Sequence, residues 1–152
     1  MEANAAPSVT IRRAEPADGP ALLALLGELE KPPESAPLEE RLRAVLRADA
    51  HIVFVAITAA AGVSGVVHAA LVPLLGSGFS VQIFSLSVSP AVRRAGGGRK
   101  LVAAVESWAR EAGCDVASVR SRQERDEAHA FWPSLGYAVS KTQTVFRKRM
   151  DA

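Results

Sequence analysis

Apolar side chains recur along this chain with two different periods. Leu22, Leu25, Leu26 and Leu29 fall at i, i+3, i+4 and i+7, the spacing of one helical face. Glu15, Pro16 and Asp18 supply helix-start chemistry ahead of them, and Pro32 and Pro33 stop the pattern. A second helix is predicted over residues 37–47, with Leu38, Leu42, Val45 and Leu46 inward and Glu39, Glu40, Arg41 and Arg43 outward. A third is predicted over residues 98–112, with Leu101, Val105, Trp108 and Ala112 on one stripe and Gly113 as its C-terminal cap. Residues 126–135 read as a short fourth helix.

Between the helical stretches lie short runs rich in Val and Ile, over residues 9–13, 51–58, 63–71, 81–88 and 116–120. The turns at residues 59–62 and at Gly76, Ser77 and Gly78 leave no room for a crossover helix, so the three central strands should form an antiparallel meander ended by Pro90. Residues 138–148 predict one or two further strands. The fold class is therefore α/β of the mixed α+β type, a mostly antiparallel sheet of six to seven strands flanked by about four helices. No interior linker breaks the pattern. A single domain is expected over residues 1–152, with residues 1–8 as a flexible N-terminus.

The size of the chain, 152 residues with 49% hydrophobic side chains, suits one ordinary domain with a sizeable core. Its single cysteine, Cys114, excludes an intrachain disulfide framework, and with only three histidines the composition is a poor match to a structural zinc site. A reducing, cytoplasmic setting follows, and the first residues show no secretory pattern. The stretch from Ile52 to Val72 lacks charge and is long enough to cross a bilayer, but Gly62, Gly65, Thr58, Ser64 and His68 within it suit two buried strands better. No membrane partner is expected.

Charge adds something the pattern lacks. Between Ala50 and Val105 there is no Asp or Glu, and the four basic residues of that segment, Arg93, Arg94, Arg99 and Lys100, fall within eight positions. They surround Gly96, Gly97 and Gly98, where a strand leads into a helix. Glycines let the backbone approach a ligand closely, and a helix start offers unpaired N–H groups and the positive end of the macrodipole. Phosphate or pyrophosphate is the natural guest. Magnesium nucleotides are excluded because Leu101 stands where the phosphate-loop Ser or Thr should follow the lysine, and the same leucine breaks the dinucleotide fingerprint. Four cations with few aromatics are also a weak nucleic-acid surface, so no nucleic-acid partner is expected.

The segment Arg93-Arg94-Ala95-Gly96-Gly97-Gly98 resembles the pyrophosphate-binding loop of the GNAT superfamily of acetyl-CoA-dependent N-acetyltransferases, and residues 86–90 resemble that family's splayed fourth strand. Downstream, residues 128–137, AHAFWPSLGY, resemble its second motif. The resemblance implies a GNAT-like fold and acetyl-CoA as cosubstrate, with no metal. It places the cofactor in a cleft opened by a bulge near Ser87 to Ser89. Pantetheine amides would pair with the backbone of Leu86 and Val88, and the pyrophosphate would sit on the amides of Arg94 to Arg99. It further implies direct attack by a neutral amine on the thioester, through an oxyanion held by a backbone N–H of the splayed strand.

The resemblance has gaps. The family's acidic base position matches Gln82, its leaving-group Tyr matches Trp132 and its cofactor-contacting Asn matches Arg125. A carboxamide does not accept a proton at neutral pH, and an indole does not ionise usefully. His68, on the neighbouring strand, is the candidate base, alongside a water chain ending at backbone carbonyls; a structural histidine is the competing reading. Trp132 reads either as core packing or as stacking along the cofactor arm. Cys114, after a helix-capping Gly, reads as an inert thiol, and His51 and His129 as structural or exposed. The acceptor stays open between a small-molecule amine and a protein amino group, and a homodimer paired through sheet edges is compatible. A non-catalytic sensor or regulatory module that binds CoA or acyl-CoA is the rival reading.

Overall fold

The β-rich middle of the chain folds into three long strands, β2 (His51–Thr58), β3 (Gly62–Leu74) and β4 (Gly78–Val88), in an antiparallel meander. Gly62 and Gly78 begin their strands at φ +67° and +86°, values that a side chain would disfavour, which is why the turns fall there. β1 (Thr10–Arg13) adds antiparallel to β2, and β5 (Val116–Val119) adds parallel to β4, so the sheet order is β1-β2-β3-β4-β5. These relationships come from a computed structural model, which describes residues 8–26, 37–120 and 126–151. The predicted flexible N-terminus lies almost wholly outside the described residues.

The chain divides into two compact units, Met1–Arg120 and Ser121–Ala152. In the first, α1 (Gly19–Leu26) and α2 (Leu38–Arg47) cover one face of the sheet. Leu22 and Leu42 pack there with Val53, Val55 and Val66, and the predicted inward residues Leu25, Leu38, Val45 and Leu46 close around them. α4 (Gly97–Glu111) covers the opposite face. Gly65 lets it come close, since a β-carbon there would lie 3.2 Å from both Ala56 and Leu101. The buried stripe of α4 is Leu101, Val102, Val105 and Ala109, whereas Trp108 is half-buried and Ala112 exposed. That corrects the predicted stripe by part of a turn. The helix start predicted from Glu15 resolves into a 3-10 turn, Pro16–Asp18, whose Asp18 carboxylate takes two hydrogen bonds from Arg12 at 2.8 and 2.9 Å and one from the Glu15 N–H at 2.7 Å.

Pro90, read as a strand terminator, also starts a short helix, α3 (Pro90–Arg94), in the position where proline's missing N–H costs nothing. The uncharged stretch from Ile52 to Val72 is the β2–β3 pair, and among the described residues no helix is long and apolar enough to cross a membrane.

The second unit holds α5 (Asp126–Ser134) and a turn at Gly136, φ +92°. Residues 138–149 form no strand, and Val139, Val145 and Phe146 are exposed. The sheet thus has five strands among the described residues, fewer than the six to seven expected. Alternating polarity prepares a segment for one face of a sheet, but only a hydrogen-bonded neighbour makes it a strand, and among the described residues none is engaged.

Candidate functional site

β4 changes phase halfway along. Its register against β3 pairs Ile83 with Ala69 and Ser85 with His68, so Phe84 is an extra residue, a β-bulge. Before it, Val81 and Ile83 share the face of Ala69 and are buried. After it, Leu86 and Val88 take over that face, with Val88 packed beside Gly65. Ser85 and Ser87 turn instead to the face of α1 and α2, where the Ser87 hydroxyl donates to the Leu25 carbonyl at 3.0 Å and ties α1 to the strand. The bulge expected near Ser87 to Ser89 therefore sits at Phe84. A hydrophobic run does not betray the position of one inserted residue.

The same strand opens on its other edge. β5 pairs with β4 only from Ser80 to Ile83, and among the described residues no strand pairs with Phe84–Val88 on that side. That segment, including the predicted positions Leu86, Ser87 and Val88, leads through Ser89 and α3 to the glycine loop.

In the loop, the N–H of Arg93 bonds the Ser89 carbonyl at 2.9 Å, that of Ala95 bonds Val92 at 3.1 Å and that of Gly96 bonds Arg93 at 3.2 Å. Of the predicted amide cradle, Ala95 and Gly96 thus spend their N–H groups on the turn. The first-turn amides of α4, Gly97, Gly98 and Arg99, are left without intrahelical acceptors by the geometry of a helix start. Gly96 is the N-cap at φ +79° with open space beyond its α-carbon, and Gly97 is buried against Val92. Arg93, Arg94 and Arg99 are exposed around this opening, with an Arg93 N–H reaching the Val88 carbonyl at 3.3 Å. Lys100 points its ammonium to the Val9 carbonyl, 3.5 Å away. A loop stripped of side chains, ringed by guanidinium groups and set on the positive end of a fifteen-residue helix fits a pyrophosphate.

His68 lies on the face of α1 and α2, in the row Val53–His68–Ser85, and Gln82 lies one row away opposite Ala70 and His51. The structure thus brings the candidate base and the family's base position to one sheet face. It also supplies what sequence reasoning missed. His51 Nδ1 and His68 Nε2 are 2.9 Å apart, and the half-exposed Phe84 ring lies against both imidazoles, its centroid 5.1 Å from that of His68 and 6.1 Å from that of His51. Burial, helped by the neighbouring His51, pushes His68 down from the ordinary imidazole value to about 4. Seventeen residues separate the two histidines, and only the β2–β3 register makes them neighbours.

Trp132 belongs to the second unit, where it is buried and meets Phe131 and Tyr137 edge to face, each at 5.1 Å between ring centroids. Arg125 lies outside the described residues. Cys114 is half-buried, and burial and then the charge of Asp115 push its thiol up, which favours the protonated form.

Residues 20–137 match the acetyltransferase (GNAT) family. An aminoglycoside N(6')-acetyltransferase type 1 from Stenotrophomonas maltophilia is 36% identical over 64 residues, a stretch that covers 42% of either chain. Among solved structures, a transcriptional regulator from Bacillus halodurans superposes with TM-score 0.82 at 21% identity, covering 93% of this chain and all of that one. An aminoglycoside 6'-N-acetyltransferase from Acinetobacter baumannii gives 0.80 at 20% identity, covering 94% of this chain and 99% of that one. The aminoglycoside N-acetyltransferase AAC(6')-Iy in complex with CoA gives 0.81 at 21% identity, covering 97% and 99%. At these identities the structural likenesses establish the fold.

Proposed function

The chain belongs to the GNAT acetyltransferase family, and on that premise we propose that it transfers an acetyl group from acetyl-CoA to a primary amine of a small molecule. The observation that carries this reading is the β4 edge at Phe84–Val88, unpaired among the described residues, followed after the short helix α3 by the glycine loop at the start of α4. On that edge the N–H and C=O of Leu86 and the N–H of Val88 suit the amides of a pantetheine arm, the Val88 carbonyl taking a hydrogen bond from Arg93. Amides of Gly97, Gly98 and Arg99 suit the pyrophosphate, and the guanidinium groups of Arg93, Arg94 and Arg99 balance its charge. A small-molecule acceptor is supported by the aminoglycoside-acetylating relative and by the acidic residues Glu39 and Glu40 at the start of α2.

Bound acetyl-CoA supplies an activated acyl group on a thiolate leaving group. The chain's part is to orient it and to accept the proton that the attacking amine gives up. Gln82 is unfit for that, so His68, neutral at physiological pH on the same sheet face, is the assigned acceptor.

Calorimetric titration of the parent and of Gly96→Glu with CoA and acetyl-CoA tests the cofactor site, because the added carboxylate enters open space beside the loop amides. Micromolar binding by the parent and none by the variant is expected; no binding by the parent overturns the proposal. Thiol release from acetyl-CoA is then followed across aminoglycosides, polyamines and peptide amines. Binding without amine-dependent release would instead favour a non-catalytic CoA-binding module.

A further inference from the structure

We infer that His51 and His68 form a two-imidazole proton relay, with His68 taking the proton of the acceptor amine at Nδ1 and passing its Nε2 proton to His51. The inference rests on the acetyl-transfer reading above and deepens it. The geometry that carries it is the 2.9 Å approach of His51 Nδ1 to His68 Nε2, with Phe84 laid against both rings. Two ring nitrogens at that distance share one proton, one donating and the other accepting. Nδ1 of His68 is left for the substrate.

A relay answers a difficulty that a lone histidine leaves. His68 is neutral and able to accept, yet with its affinity for protons lowered it does not keep one. His51 gives the proton somewhere to go. No carboxylate competes from the strands, since the segment from Ala50 to Val105 contains no Asp or Glu. α1 carries no charged residue, and α2 turns Leu38, Leu42 and Val45 to the sheet, with Glu39, Glu40 and Arg43 exposed. Asp49, ahead of β2, is exposed as well.

The atoms balance as follows. The amine nitrogen forms its bond to the acetyl carbon, the carbon–sulfur bond breaks, and CoA leaves as the thiolate with the electron pair. The nitrogen's surplus proton goes to His68 Nδ1 as the Nε2 proton moves to His51 Nδ1. His51 then releases its own Nε2 proton to water, and once the product has left, the pair is reset as His68 Nδ1 gives its proton to water, His51 Nδ1 returns one to His68 Nε2 and His51 Nε2 regains one from water. His51 acts through His68 and is a positioning residue.

The test uses His51→Gln, His51→Asn, His68→Gln and the double variant His51→Gln/His68→Gln, each first shown to bind CoA like the parent. The expected result is a fall in kcat of about tenfold to a hundredfold for each His51 variant. KM for acetyl-CoA should be unchanged and the acid limb of the pH–rate profile altered. Because the pair acts as a unit, the double variant should be no slower than His68→Gln alone. Parental kcat and an unaltered pH profile in both His51 variants would overturn the relay while leaving acetyl transfer standing. Failure of the parent to acetylate any amine would overturn both.

Discussion

The carbonyl oxygen of Val92 lies 2.9 Å from the point that a β-carbon on Gly97 would occupy, and the Val92 side chain crowds the same point. Position 97 is therefore closed to side chains by its own loop. Gly96, next to it, faces open space and is special only in its φ of +79°. Gly97→Ala should lower unfolding stability by about 1–3 kcal/mol through overpacking and weaken CoA binding with it. Gly96→Asn should cost less, because Asn visits the left-handed region most readily among side-chain-bearing residues. Urea unfolding and CoA titration of the two variants side by side check the contrast, and equal effects would refute it.

Asp18 supports the fold rather than the chemistry. Its carboxylate is buried, accepts the Arg12 fork and caps the Glu15 N–H, and the hydrogen bonds from Arg12 hold its pKa below the usual carboxylate value. The stabilisation is full above about pH 4 and is lost as the pH falls through the lowered folded value. Asp18→Asn should cost about 1–2 kcal/mol at neutral pH, Arg12 being partly exposed and screened. The difference from the parent should shrink in unfolding curves measured near pH 2 to 3.

His68 works in the same sense, in a higher pH window. The unfolded chain binds a proton on this imidazole below about pH 6.5, whereas the folded chain does so only near 4. Between those values the unfolded state holds more protons, so stability declines on acidification across that window. Replacing His68 by Gln should flatten this part of the curve. Urea midpoints compared at about pH 7.5 and about pH 5 decide it: a slope equal to the parent's would mean that His68 does not titrate as described.

Much of this was legible in the chain. The runs over residues 51–58 and 81–88 mark β2 and β4 closely because β-branched periodicity and the flanking glycines agree there. The glycine loop and the start of α4 stand out for the same kind of reason, local chemistry acting over a few residues. What depends on register was hidden. The His51–His68 pair needs β2 and β3 aligned to the residue, and the Phe84 bulge interrupts a run that stays apolar on both sides of it. Residues 138–148 show the converse, a strand-like pattern that pairs with no strand among the described residues. The predicted stripe of α4 erred because Trp108 is large and apolar, yet the sheet presses on Val102 and Ala109 instead.

The extra residue at position 84 has a genetic consequence. Removing that one codon would join Ile83 to Ser85 in an unbroken ladder against Ala69 and His68, so Leu86 and Val88 would keep their face and Ser85 and Ser87 theirs. What the strand would lose is its local kink and the ring laid against His51 and His68, ahead of the segment that feeds the glycine loop. A single-codon deletion there would spare the packing of the sheet and fall on the site.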